Sequence, residues 1–204
     1  MSVAAAIAGL RPSAPEPLPF DRSLHIRAFV LERRQGDVLV YSTSGVEADG
    51  VSRQYLNHGH EAMFLSDAVS APLFVHEADR AAVPRRVRGT FSRRHTLDDD
   101  FEVIPTPGHT PGATAYLWDN GSQRLLFTGD SVYLRDGEWV GAVLGSSDRA
   151  AYLDSLELIR ELDFDVLVPW AATAGQPDHA LTDRADTRRR IDAIIERVRR
   201  GGSH

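Results

Sequence analysis

Apolar runs of strand length, broken by glycine and proline turns, fill the first two thirds of the chain, and such turn-rich hairpins fit a two-layer α/β fold with a parallel sheet less well than mixed or antiparallel sheets. HIRAFVL (25–31) and DVLVYS (37–42) are β-branched runs separated by the polar RRQG, which predicts an antiparallel hairpin. Short strands are expected at 53–56 and 72–75. FEVIP (101–105), ATAYLW (113–118) and RLLFTG (124–129) predict a second sheet, with Asp119, Asn120 and Gly121 turning its last two strands into a hairpin. Helical spacing is carried by Tyr152, Leu153, Leu156, Ile159 and Leu162 between 147 and 162, with Ser146 or Ser147 and Asp148 as a cap. A buried strand, DVLVP, follows. A last helix over 181–200 sets Ile191, Ile194, Ile195 and Val198 against an arginine-rich face, and can pack on its own core or on a twin. This order suits two sheets packed face to face with helices outside, in mixed or antiparallel pairing.

A chain of 204 residues fits one large domain. Its 42% hydrophobic and 25% charged residues match ordinary soluble proteins, so disordered and fibrous classes drop out. The formal charge of -6 argues against nucleic acid, which needs concentrated Lys and Arg. With no cysteine, disulfides and thiolate ligands are impossible, and any metal must be held by His, Asp or Glu. VAAAIAGL near the start makes a poor signal peptide and no membrane span, so a cytoplasmic chain is expected. Four prolines in RPSAPEPLP (11–19) rule against a regular element there. The expected layout is a flexible arm over 1–20, a domain over 21–200 and a tail over 201–204.

Three constellations carry chemistry. NHGHEAM (57–63) follows a short strand and precedes an expected helix. In an extended or turning backbone, its His58 and His60 face the same side, where one ion at about 2.0–2.1 Å takes both. In TPGHTPG (106–112), two Pro-Gly pairs specify a rigid loop that presents His109. LLFTGDSVY (125–133) is an apolar strand ending at Gly129 and Asp130, and strand ends are where sheet scaffolds expose carboxylates. Taken alone, the HxH pair and Asp130 are commoner as incidental loop residues than as a site, whereas the rigid loop around His109 favours a presented ligand.

Taken in order, the three motifs resemble the metallo-β-lactamase superfamily, and the likeness runs from about residue 25 to 170, including SLELIRELDFDVLVP. The resemblance implies a four-layer αβ/βα sandwich of α+β class, with two mixed sheets and helices outside. It also implies one metal site made by His58, His60 and His109, with Asp130 in the position that usually bridges two metals. Departures are equally legible. The family pattern HxHxDH would place Asp and His at 62 and 63, where this chain has Ala62 and Met63. The family's Gly-His after the late strand's proline is Trp170-Ala171 here, and its Asp before Thr-Gly aligns weakly with Ser42. Three lost ligands point to one site lost as a unit.

Three neutral imidazoles around Zn²⁺ leave a fourth position for water, whose pKa such an ion lowers to about 7. The expectation is therefore a mononuclear, zinc-dependent hydrolase of a small molecule, with Asp130 as fourth ligand, water holder or proton acceptor. Fe²⁺ suits histidines plus a carboxylate as a lesser option. The competing reading is a catalytically degenerate binding or structural domain with a vestigial metal site. Glu61, Met63 and Trp170 are candidates for lining the pocket, and a pocket sealed by Trp170, Met63 and Ala171 would favour the degenerate reading. His25, His76, His95 and His179 read as ordinary, and DRADTRRR (183–190) reads as the solvated face of the last helix.

Overall fold

The computed structural model describes residues 6–84 and 87–203. Its strands are β1 (Leu10–Pro12), β2 (Glu16–Pro17), β3 (Leu24–Ile26), β4 (Phe29–Leu31), β5 (Val38–Val40) and β6 (Arg53–Tyr55). They continue with β7 (Leu73–His76), β8 (Gly89–Phe91), β9 (His95–Leu97), β10 (Phe101–Pro105), β11 (Thr114–Asp119) and β12 (Arg124–Gly129). The last are β13 (Tyr133–Arg135), β14 (Glu138–Val140), β15 (Val166–Pro169), β16 (Ala171–Thr173) and β17 (Ala180–Leu181). Two helices, α1 (Arg149–Glu161) and α2 (Arg184–Arg199), and two 3₁₀ turns at Gly59–Phe64 and Glu77–Ala82 complete the described residues.

Two mixed six-stranded sheets, β1-β4-β5-β6-β7-β8 and β17-β15-β12-β11-β10-β9, pack face to face. Their inner faces share one core, in which Phe29, Tyr41 and Phe127 meet edge to face at about 6 Å. Both expected hairpins form: β4 runs antiparallel to β5, and β11 to β12. The first run is split, however. Leu24–Ile26 leaves it for a third sheet, β14-β13-β16-β3-β2, whose Leu24, Ile26, Tyr133, Val140 and Ala171 pack into the same core.

The helices lie outside one sheet. Ile191, Ile194, Ile195 and Val198 of α2 are buried with Tyr152, Leu156 and Ile159 of α1 against Leu117, Leu126 and Leu167 of the second sheet, so α2 packs on its own core. Asp148 caps α1 through the backbone N–H groups of Ala150 and Ala151. Over the first sheet, the corresponding layer is the loop carrying Val46, Ala48 and Val51, together with the 3₁₀ turns. Its Ser, Asp and Gly content favours turns over a helix.

The expected flexible arm is corrected from Leu10 onward. Pro12 pairs with Phe29 and Pro17 with His25, each in an edge strand where a missing backbone donor costs nothing. The tail is likewise docked: Val143 N–H donates to the Ser203 carbonyl at 3.0 Å, and Arg149 donates to the Gly202 carbonyl at 2.9 Å.

Candidate metal centre

The loops after β6, β10 and β12 meet at one edge of the sandwich and bring the three motifs together. One ring nitrogen from each of His58, His60 and His109 lies within 4.8 Å of the others. The Asp130 carboxylate stands 3.5 Å from His58 Nε2 and 3.7 Å from His109 Nε2. His58 is extended, at φ -154° and ψ 166°, and His60 falls in the 3₁₀ turn that follows. His109 Nδ1 donates to the Ala142 carbonyl at 2.8 Å, which leaves its Nε2 with a free lone pair facing His60 Nδ1 at 3.2 Å.

Glu61 does not line the pocket, contrary to expectation. The turn carries it inward, fully buried, where its Oε1 accepts from the backbone N–H of Asn57 and of His58 at 2.7 and 3.1 Å. It also sits 3.2 Å from His58 Nδ1, with Asn57 Oδ1 at 3.0 Å from the same nitrogen. These partners engage Nδ1 and turn Nε2 towards Asp130 and the other histidines. That Nε2 is buried without a hydrogen-bond partner, as expected of an atom whose natural partner is a cation.

Asp79, which carries no recognisable motif, joins the two histidine loops. One oxygen accepts from Gly59 N–H at 2.7 Å and Thr110 Oγ1 at 2.6 Å, and the other from Gly112 N–H at 2.9 Å. A Cβ at Gly112 would lie 2.6 Å from the Asp79 carboxyl carbon, so glycine admits this contact. Gly129 has a parallel role. Its φ of +56° follows a register shift between β12 and β15, and a Cβ there would fall 1.8 Å from Asn57 Oδ1.

A pocket of about 890 Å³ opens beside the cluster and is bounded by His60, His109 and Asp130 at one end. Met63 lines it and is 67% exposed, while Trp170 forms a buried wall, its indole 5.4 Å from the His58 ring. A second recess of about 580 Å³, near Gln54, Ser66 and Arg88, contains none of these residues.

Residues 49–171 match the family model described as the metallo-beta-lactamase superfamily. The chain belongs to that superfamily. The uncharacterized protein Rv2581c of Mycobacterium tuberculosis is 26% identical over 222 residues, spanning 87% of this chain and 96% of its own length. The metallo-beta-lactamase family protein TTHA1429 from Thermus thermophilus superposes with a TM-score of 0.65 at 17% identity, over 96% of this chain and 81% of that one. An archaeal metallo-beta-lactamase superfamily protein from Sulfolobus tokodaii gives 0.62 at 16%, over 92% and 86%.

Ala62, Met63 and Ala171 all line the pocket. Behind them Ser42 donates to the Phe64 carbonyl at 2.8 Å, and the Trp170 indole N–H donates to the Ser42 carbonyl at 2.9 Å. Both buried polar side chains therefore have partners.

Electrostatics separate the three histidines. Burial alone would lower the His58 pKa, but the Asp130 and Glu61 carboxylates reverse this and lift it to about 10. Burial and the neighbouring His58 charge pull His109 down to about 4, and the same two causes lower His60. Burial works to raise Asp130, yet the surrounding histidines hold it below the usual carboxylate range. His58 is thus the one of the three histidines whose charged form the neighbouring carboxylates favour, while burial raises the Glu61 carboxyl itself. His25, His76, His95 and His179 stand apart from the cluster: His76 accepts from Ala78 N–H, and His179 pairs with Asp178 at 2.8 Å. The arginines of α2 lie on its outer face in ion pairs with Glu161 and Asp186.

Proposed function

We propose that this protein is a metal-dependent hydrolase that holds one divalent ion, zinc in preference to iron, and acts on a small molecule. The observation carrying this reading is the convergence of three histidine nitrogens within 4.8 Å, beside the orphaned His58 Nε2, at the mouth of an open pocket. His58, His60 and His109 would hold the ion, and the all-nitrogen donor set suits zinc. Such an ion supplies Lewis acidity and lowers the pKa of water to about 7.

The protein's own groups do the rest. Glu61 and Asn57 orient His58, and the Ala142 carbonyl selects the His109 tautomer that leaves Nε2 available. Asp130, at the pocket end, completes the ligand set or takes the proton of the attacking water. Asp130→Asn separates these roles, since a ligand role loses metal and a proton-acceptor role loses turnover with metal retained. Met63 stands exposed and leaves the pocket open to solvent, which supports an enzyme over a sealed, vestigial site.

The test is metal content on protein purified without chelator or metal-affinity resin. About one zinc or iron per chain is expected, with none in the His58→Ala, His109→Ala double variant. No metal in wild type after incubation with zinc would sink the proposal and leave a binding domain on a retired scaffold.

A further inference from the structure

Large apolar side chains rarely stand in water without a use when they gather at one place. Among the described residues the exposed large hydrophobic side chains are Phe20 (77%), Met63 (67%), Leu144 (42%) and Leu181 (67%). The first three line the pocket beside the histidines, although they come from three separate segments: the approach to β3, the histidine turn and the loop before α1. The same pocket is lined by Ala62 and Ala171, where the superfamily pattern has metal ligands, and it is backed by buried Trp170. Away from the histidine end, the charged lining groups are Asp21 and Arg135, which are paired with each other. Among the described lining residues, then, no unpaired cation is available to hold a carboxylate or phosphate on the substrate.

We infer that this wall is a subsite for the hydrocarbon part of an uncharged substrate, a neutral carbonyl compound bearing an aliphatic or aromatic group. The polar end of that substrate would point to His60, His109 and Asp130. Only this polar end rests on the hydrolase reading; the apolar subsite stands on its own residues. The pocket volume lies within the range of sites that enclose a drug-sized ligand.

Calorimetric titration with straight-chain 1-alkanols from butanol to octanol, on the protein as purified and again after metal removal, tests this without any catalytic step. Affinity should rise roughly two- to fourfold per added methylene, as expected for burial of CH₂ groups. The Met63→Gln, Leu144→Gln double variant changes exposed positions and should weaken 1-octanol at least fivefold, while Leu181→Gln, outside the pocket, should leave it unchanged. Affinity that is flat with chain length, or equal losses in both variants, would overturn the subsite. Chain-length dependence in a protein that binds no metal would support the subsite while removing the hydrolase reading.

Discussion

The two sides of the pocket contrast in how their groups are satisfied. On the histidine side nearly every polar atom has a second partner: Glu61 and Asn57 on His58, the Ala142 carbonyl on His109, and Asp79 across both loops. The buried atoms left over there are His58 Nε2, which faces Asp130, and the second carboxylate oxygen of Glu61. On the opposite side, Ala62, Met63 and Ala171 offer only apolar side chains, and the polar groups behind them bond to each other. A buried polar group left without a partner costs about 1–3 kcal/mol. That cost is absent behind the apolar wall, where Ser42 bonds to the Phe64 carbonyl and to the Trp170 indole.

Breaking the histidine side should have the largest effect. Asp79→Ala leaves the buried N–H groups of Gly59 and Gly112 unpaired and should destabilise the protein by about 3 kcal/mol or more. Urea unfolding reads this loss, and a stability change under 1 kcal/mol would show that the two loops are held by other contacts. Rebuilding the apolar side is the next test in size. Ala62→Asp with Met63→His and Ala171→His should raise bound metal from about one to about two ions per chain, measured by elemental analysis. An unchanged ratio would mean that the two sides differ in backbone placement as well as in side chains.

Glu61→Gln probes the support beneath the histidines. The amide can still accept from Asn57 and His58 N–H but brings no charge to His58, so zinc affinity should fall about 10- to 100-fold with little change in fold. Competition with a chromophoric chelator measures it, and unaltered affinity would reduce Glu61 to a backbone cap. The smallest effect is expected for Met63→Ala: at 67% exposure it should shift stability by less than about 0.5 kcal/mol. A larger loss in thermal unfolding would mean that the wall is part of the core.

Much of this arrangement could be read along the chain. Periodicity and turn residues placed β4, β5, β10, β11, β12 and both helices to within a few residues, because each depends on local patterns. The triad was legible for a similar reason, since each histidine sits in a short, turn-rich motif. Glu61 and Asp79 were not legible in their actual roles. An extended reading of residues 57–63 turns Glu61 away from His58, whereas the 3₁₀ turn at Gly59–Phe64 brings it beneath the ring. Asp79 gains its partners from loops 20 and 33 residues away, which no local spacing encodes. The prolines of 11–19 misled in a similar way, because whether a missing donor matters depends on having a neighbour on that side, and β1 and β2 lie at sheet edges.

The sequence by itself determined the central strands, both helices, the three histidines with their aspartate, and the apolar residues at 62, 63 and 171, because residue identity and short-range geometry are enough for these. Only the tertiary structure decided that the helices cover one sheet and not the other, that Glu61 and Asp79 hold the histidines from behind, and that Ala62, Met63 and Ala171 line one open apolar pocket. Those outcomes depend on which surfaces meet across the fold, and burial and hydrogen-bond partners exist only after the chain has closed.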